Sequence, residues 1–123
     1  MLFHMELTYE DADGIRTIRL RGRMDLEGAG AIDLKFTSLT ATQRASIVVD
    51  LSEVVFMASM GLSILVRAAR AVRLRQGNMV LLNPTPSVHQ VLRSTRIDQI
   101  LAVYSDIDEA RLAAASSAAA DIS

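Results

Sequence analysis

Apolar and polar residues alternate in two segments near the start of the chain, and this alternation predicts a β-hairpin. Residues 5–9 (MELTY) alternate weakly, and from Ile18 onward the segment 15–22 (IRTIRLRG) separates apolar side chains from arginines. A period of two is typical of a strand with one face in water. Between them, the acidic residues of 10–14 (EDADG) end in Gly14, which favours a turn.

Two later segments are short and continuously apolar, which favours strands buried on both faces. Residues 46–51 (SIVVDL) form the first segment and residues 79–82 (MVLL) form the second. Runs of this length and kind occur in central strands of parallel sheets. A last short strand is predicted within residues 99–104 (QILAVY).

Four segments have the apolar spacing of amphipathic helices. In the first, Gly28 and Gly30 lower the helix propensity at the start. The second begins after Gly61 and ends before Gly77, which is typical of a helix C-terminus. Helices are predicted over 27–40, 62–76, 87–98 and 106–117.

The order of these elements, ββαβαβα(β)α, predicts a single α/β domain with right-handed crossovers and a partly parallel sheet. The domain is expected to span residues 1–117, and residues 118–123 are expected to form a flexible C-terminal tail. No internal repeat or second domain is indicated.

Composition narrows the class of protein. The 123 residues are 50% hydrophobic with a formal net charge of −1, which argues against direct nucleic-acid binding. The chain has no cysteine, which excludes disulfides and thiol catalysis and suits the cytoplasm. Its start lacks a signal-peptide pattern, and its apolar stretches are shorter than the roughly 20 residues of a membrane span.

Ser59 is the main candidate for chemistry because it lies between a buried strand and a helix. One interpretation is a helix N-cap, in which the hydroxyl accepts a hydrogen bond from a helix amide. A second is a regulated hydroxyl, since a phosphate there would be stabilised by free amides and the helix dipole. Neighbouring Met60 is either a core residue or an adaptable contact.

A catalytic role for Ser59 has little support. Met57 replaces the first glycine of the G-x-S-x-G elbow, and the only histidines are His4 and His89, which nothing in the sequence brings to Ser59. The two histidines and the scattered carboxylates do not have the spacing of a metal-binding motif. The segment "GAG" at 28–30 lacks the glycine spacing and the lysine of a phosphate-binding loop. We therefore predict no catalytic residue, no metal and no cofactor.

Arginines recur every third residue on one face of the second helix. These are Arg67, Arg70 and Arg73. Such a row is either a solvated face or part of an interface with an acidic partner.

The segment 47–98 (IVVDLSEVVFMASMGLSILVRAARAVRLRQGNMVLLNPTPSVHQVLRSTRID) resembles the STAS domain of bacterial anti-sigma factor antagonists. The family pattern has a strand ending in Asp-Leu-Ser, a Phe, and then Asp-Ser-Ser/Thr-Gly-Leu before a helix. An earlier element and the closing helix also match, at 20–29 (LRGRMDLEGA) and 105–113 (SDIDEARLA). The resemblance covers roughly residues 5–115. The matching positions are Leu20, Gly22, Met24, Asp25, Asp50, Leu51, Ser52, Val55, Phe56, Ser59, Gly61, Leu62 and Leu65.

The resemblance implies a four- or five-stranded mixed sheet with helices mainly on one side. It also implies an anti-sigma factor antagonist that binds a GHKL-type serine kinase and thereby releases a sigma factor. The kinase then phosphorylates the antagonist, and a phosphatase resets it. Ser59 holds the phosphoacceptor position. The implied partner-binding residues are Asp25, Ala58, Ser59, Met60, Gly61 and Leu62.

Two residues depart from the family pattern and leave alternatives open. Ala58 replaces the Asp before the serine, and Met60 replaces the small hydroxyl residue after it. A constitutive interaction subunit of a lipid-transport or sensory complex, without phosphorylation, is therefore the alternative function. An enzyme or small-ligand binder is a third possibility. The sequence supports no prediction of oligomeric state.

Overall fold

A five-stranded mixed sheet lies at the centre of the computed structural model, which describes residues 5–116. The strands follow chain order, with β1 antiparallel to β2 and every later pair parallel. The predicted tail, 118–123, lies outside the described residues. The strands are β1 (Glu6–Ala12), β2 (Ile15–Met24), β3 (Ser46–Met57), β4 (Asn78–Leu82) and β5 (Val103–Tyr104). The helices are α1 (Leu26–Thr40), α2 (Ser59–Leu74), α3 (Pro86–Ser94) and α4 (Ile107–Ala115).

Three helices cover one face of the sheet and α4 covers part of the other. The larger core contains residues of α1, α2 and α3 packed on the sheet, including Phe36, Leu65 and Leu92. The smaller core packs only alanines of α4 on aliphatic residues of the sheet. The expected α/β domain, with a mixed sheet and helices mainly on one side, is confirmed.

Strand β3 is longer than predicted because two irregularities in its pairing with β2 change the period of its side chains. Steps of two residues in β2 are matched by steps of three in β3, so β3 holds two extra residues, Ser52 and Val55. The strand therefore continues to Met57 rather than ending at residue 51. The paired positions are Arg19 with Asp50, Arg21 with Glu53, and Arg23 with Phe56. Residues three apart reach the core, namely Leu51, Val54 and Met57.

The carboxylate of Asp50 supports the first of these bulges. Its Oδ1 accepts a hydrogen bond from the Ser52 backbone N–H at 2.9 Å, and its Oδ2 accepts one from Arg19 Nε at 3.2 Å. The Asp50 side chain is only 12% exposed. A bulge leaves an amide without a partner strand, and a nearby carboxylate is a strong acceptor for it.

Arg16 joins the hairpin to the end of α1. Its guanidinium donates to both carboxylate oxygens of Asp11, at 2.7 and 2.9 Å, and to the Leu39 carbonyl at 2.8 Å. The hydrogen bonds between Arg16 and Asp11 hold the pKa of Asp11 below its ordinary value and raise the pKa of Arg16. The cation also lies beside the last carbonyls of α1, where the helix dipole favours positive charge.

The predicted helix boundaries differ most at the start of α2 and at the end of α3. Helix α2 begins at Ser59, three residues earlier than expected, because β3 runs to Met57 and leaves a single connecting residue. The predicted helix 87–98 ends at Ser94, since Arg96 adopts a left-handed conformation with φ of 62° and a short 3₁₀ turn follows. Strand β5 contains only two residues of the segment predicted for it.

Replacing Asp50 by alanine is expected to lower the free energy of unfolding by about 2–3 kcal/mol, because it leaves the Ser52 amide without its charged acceptor. Glu53→Ala is the matched control, because Glu53 is 66% exposed and pairs with an equally exposed arginine. That control is expected to cost less than about 1 kcal/mol. Urea unfolding of both variants checks the difference, and equal losses would contradict the role given to Asp50.

Candidate partner-binding site

The β2–α1 and β3–α2 junctions lie side by side at one edge of the sheet. The two strands are parallel, so their carboxyl ends meet at the same edge, and Met24 pairs with Met57. The Ala58 backbone N–H donates to the Met24 carbonyl at 3.0 Å, which joins the two junctions directly. The fold thus places Asp25 and Ser59, which are 34 positions apart in the sequence, at neighbouring helix starts.

Ser59 occupies the first turn of α2 and is exposed, but it is not the helix N-cap. The cap residue is Ala58, which has extended backbone angles (φ −97°, ψ 176°) and no side-chain oxygen. The N-cap interpretation of Ser59 is therefore wrong. The reason is the length of β3, because a strand that ends at Met57 leaves only Ala58 in the cap position.

The amino end of α2 keeps its positive character. No side chain caps this helix, and its first turn contains no acidic residue. By contrast, Asp25 caps α1 by accepting from the Gly28 N–H at 2.8 Å, and Asp106 caps α4 through the Glu109 N–H at 3.0 Å. The first N–H groups of a helix have no internal acceptor, and they attract anions. An anionic group on Ser59 would lie within this field.

Apolar side chains are exposed around Ser59. Phe56 is 40% exposed and Met60 is 39% exposed, and both lie within three residues of the serine. Val55 and Leu26 are more exposed still. Contiguous exposed apolar residues mark interaction surfaces more often than isolated ones do. We call this set the Ser59 patch, and it consists of Leu26, Val55, Phe56, Ser59 and Met60.

Two of the residues implied as partner-binding lie beneath this surface. Leu62 is buried, and Gly61 packs against the strand ends. A Cβ atom on Gly61 would lie 2.8 Å from Met24 Cγ and 3.2 Å from Met57 Cγ. Gly61 therefore allows α2 to approach the sheet closely, which fixes the position of Ser59. The other four members of the set, Asp25, Ala58, Ser59 and Met60, have exposed or half-exposed side chains.

Asp25 is half-buried and belongs to a small cluster with Arg23 and Phe56. While Oδ1 caps α1, Oδ2 lies 3.7 Å from Arg23 Nε. The Arg23 guanidinium lies over the Phe56 ring, 4.6 Å from its centroid. Sequence reasoning assigned no role to Arg23 and did not include Phe56 in the partner surface. A large aromatic residue placed next to the strand end was the available signal.

His89 lies in a different environment from Ser59. It lines a pocket of about 210 Å³ together with Tyr104 and Ser105, and Ser59 is not part of that lining. His4 lies outside the described residues. Within residues 5–116, no group of three or more acidic or histidine side chains could hold a metal ion. In the same range, no helix has the length and apolar character to cross a membrane.

One family model matches most of the chain, and several solved structures share its fold. The model of the STAS domain matches residues 6–110. An anti-sigma factor antagonist from Mycobacterium paratuberculosis is similar in structure, with a TM-score of 0.81 and 24% identity, covering 91% of this chain and 95% of that one. An anti-sigma-factor antagonist (STAS) domain protein from Planctomyces limnophilus has a TM-score of 0.78 and 27% identity, covering 89% of this chain and 98% of that one. The phosphorylated form of the Bacillus cell fate determinant SpoIIAA has a TM-score of 0.65 and 21% identity, covering 85% of this chain and 96% of that one.

Gly61→Ala is expected to destabilise the protein by about 1–3 kcal/mol, because the added methyl group overpacks the contact with Met24 and Met57. Gly30→Ala is the matched control. It lies on the exposed side of α1 with nothing within 4 Å of an added Cβ. That control is expected to stabilise by about 0.5–1 kcal/mol through helix propensity. Urea unfolding checks both signs, and a stabilising Gly61→Ala would show that α2 has room to move.

Proposed function

Since the chain belongs to the STAS domain family, we propose that it is a cytoplasmic anti-sigma factor antagonist, switched by phosphorylation of Ser59. In this proposal the Ser59 patch binds an anti-sigma factor that is a GHKL-type serine kinase, and binding releases the sigma factor. The observation that carries the proposal is the exposed hydroxyl of Ser59 on the uncapped amino end of α2.

Phosphorylation would act on the partner surface through charge and solvation. The Ser59 Oγ attacks the γ-phosphorus of ATP, the bond to the β-phosphate bridging oxygen breaks, and ADP and a proton leave. The new group adds about −1.5 to −2 charges at neutral pH. The amino end of α2 stabilises this charge, whereas an apolar interface would have to remove it from water at a high cost. The modified protein therefore dissociates, and a phosphatase that hydrolyses the ester restores binding.

The residues that depart from the family pattern are compatible with this switch. A carboxylate at position 58 would cap α2 and offset its positive end. Ala58 leaves that end for the phosphate. Met60 places a flexible apolar side chain beside the hydroxyl, and methionine adapts well to partner surfaces.

Incubation with the cognate kinase and ATP is expected to add one phosphate to the wild-type protein and none to Ser59→Ala, as measured by intact mass. Ser63→Ala is the matched control, because Ser63 is also exposed and lies one turn further along α2. It is expected to accept phosphate as the wild type does. A phosphate that persists in Ser59→Ala, or no phosphate on the wild type, would refute the switch.

The alternative is a constitutive interaction subunit of a lipid-transport or sensory complex that uses the same surface without phosphorylation. The exposed Met60 favours it, because an apolar side chain here adds contact area in place of a hydroxyl. Stoichiometric phosphate on Ser59 in protein isolated from cells would count against this alternative.

Met60→Ser is expected to weaken binding of the anti-sigma partner about 5- to 20-fold, because burial of a methionine contributes roughly 1–2 kcal/mol. Leu74→Ser is the matched control, since Leu74 is 86% exposed at the far end of α2. Titration calorimetry measures both dissociation constants. Unchanged affinity in Met60→Ser, or an equal loss in the control, would remove the Ser59 patch from the interface.

A further inference from the structure

Strand β3 extends beyond its neighbour β4. The pairing of β3 with β4 ends at Asp50 and Leu82, whereas the pairing of β3 with β2 continues to Met57. In the part of the chain that the structure describes, residues 51–57 of β3 thus have a neighbouring strand on the β2 side alone. Backbone groups on the other side need hydrogen-bond partners from outside the sheet.

The side chain of Thr85 supplies one of these hydrogen bonds. Its hydroxyl donates to the Val54 carbonyl at 2.9 Å. Val54 is fully buried, so water does not reach this carbonyl as an alternative donor. Val54 directly precedes Val55, the extra residue of the second irregularity in β3. Thr85 therefore supports the second bulge of the strand, as Asp50 supports the first.

The Thr85 hydroxyl is directed to β3 although the residue occupies the N-cap position of α3. A threonine in that position usually accepts a hydrogen bond from an amide of its own helix. The Thr85 side chain makes no such bond. Its backbone does begin the helix, because the His89 N–H donates to the Thr85 carbonyl at 2.8 Å. A single residue thus connects the amino end of α3 to the side of β3 that β4 leaves open.

The segment that Thr85 supports leads directly to Ser59. Hydrogen bonds hold the end of β3 from two sides, at the Val54 carbonyl from α3 and at the Ala58 amide from Met24 of β2. Without the Thr85 hydroxyl, a buried carbonyl would lose its donor, which is unfavourable. The chain relieves that penalty by turning the carbonyl toward water, and this displaces the start of α2.

We infer that Thr85 is a positioning residue for Ser59. It acts through β3, because its hydroxyl holds the second bulge in the geometry that places Ser59 in the first turn of α2. The consequence for phosphorylation rests on the proposed function. The effect of Thr85 on the position of Ser59 does not.

Amide spectra of the full ¹⁵N-labelled chain test the inference without a partner. Thr85→Val removes the hydroxyl and keeps the branched shape, and it is expected to shift or broaden the signals of Ala58, Ser59 and Met60. Thr85→Ser keeps the hydroxyl and is expected to preserve the wild-type signals. A residue that only stabilised the fold would lower the free energy of unfolding without moving these signals. If Thr85→Val does not fold, Thr85→Ala replaces it, since its smaller side chain cannot crowd the contact.

Thr95→Val is the matched control, because the Thr95 hydroxyl donates to the Val91 carbonyl at 2.7 Å at the other end of α3. This variant loses a hydrogen bond of the same kind and is expected to leave the three signals in place. Unmoved signals in Thr85→Val, or equal shifts in Thr95→Val, would overturn the inference. Shifts in Thr85→Ser as large as those in Thr85→Val would also overturn it.

Phosphorylation kinetics test the consequence for the site. Thr85→Val is expected to raise the KM of the cognate kinase for this protein about threefold or more and to change kcat less than about twofold, because only molecules with Ser59 in place bind productively. Thr85→Ser is expected to keep the wild-type KM. An unchanged KM beside shifted signals would overturn the role of Thr85 in presenting Ser59 to the kinase. A wild-type protein that accepts no phosphate would refute the proposed function, while the amide spectra would still decide whether Thr85 positions Ser59.

Discussion

The edge of the sheet that carries Ser59 depends on one requirement, namely a hydrogen-bond acceptor for the Ser52 amide where β3 bulges. The carboxylate of Asp50 meets it, and the same side chain holds Arg19. Because β3 accommodates extra residues, it stays paired with β2 to Met57 and delivers Ala58 to the carbonyl of Met24. This hydrogen bond between Ala58 and Met24 fixes the start of α2 and therefore the position of Ser59.

The helices at the two junctions differ in whether a side chain satisfies the free N–H groups at their amino ends. Helix α1 neutralises its amino end with Asp25, while α2 leaves its own end unneutralised. The close approach allowed by Gly61 holds the second end firmly against the sheet. In the proposed switch, a phosphate on Ser59 would meet this unneutralised helix end directly.

Hydrophobic periodicity was sufficient to predict the α/β class, the hairpin and the positions of the four helices, because those elements bury regular stripes. Periodicity gave wrong boundaries where the bulges of β3 interrupt the alternation of side chains. The period of three in Leu51, Val54 and Met57 resembles neither an ordinary strand nor a helix, so the end of β3 and the start of α2 were misplaced. Ser59 was identified as the candidate residue from its position and its family resemblance. The Arg23–Phe56 contact could not be predicted, because it depends on the pairing register of β2 and β3, which the sequence does not reveal.

The acidic character of β1 has a further consequence at the outer edge of the sheet. An edge strand exposes backbone groups that could pair with the same strand of a second molecule. Glu6, Glu10 and Asp11 lie within the seven residues of β1, and the hydrogen bonds from Arg16 lower the pKa of Asp11 further below neutral pH. Antiparallel pairing of two such edges would bring carboxylates of both copies together. Repulsion between them disfavours edge-to-edge pairing of two copies.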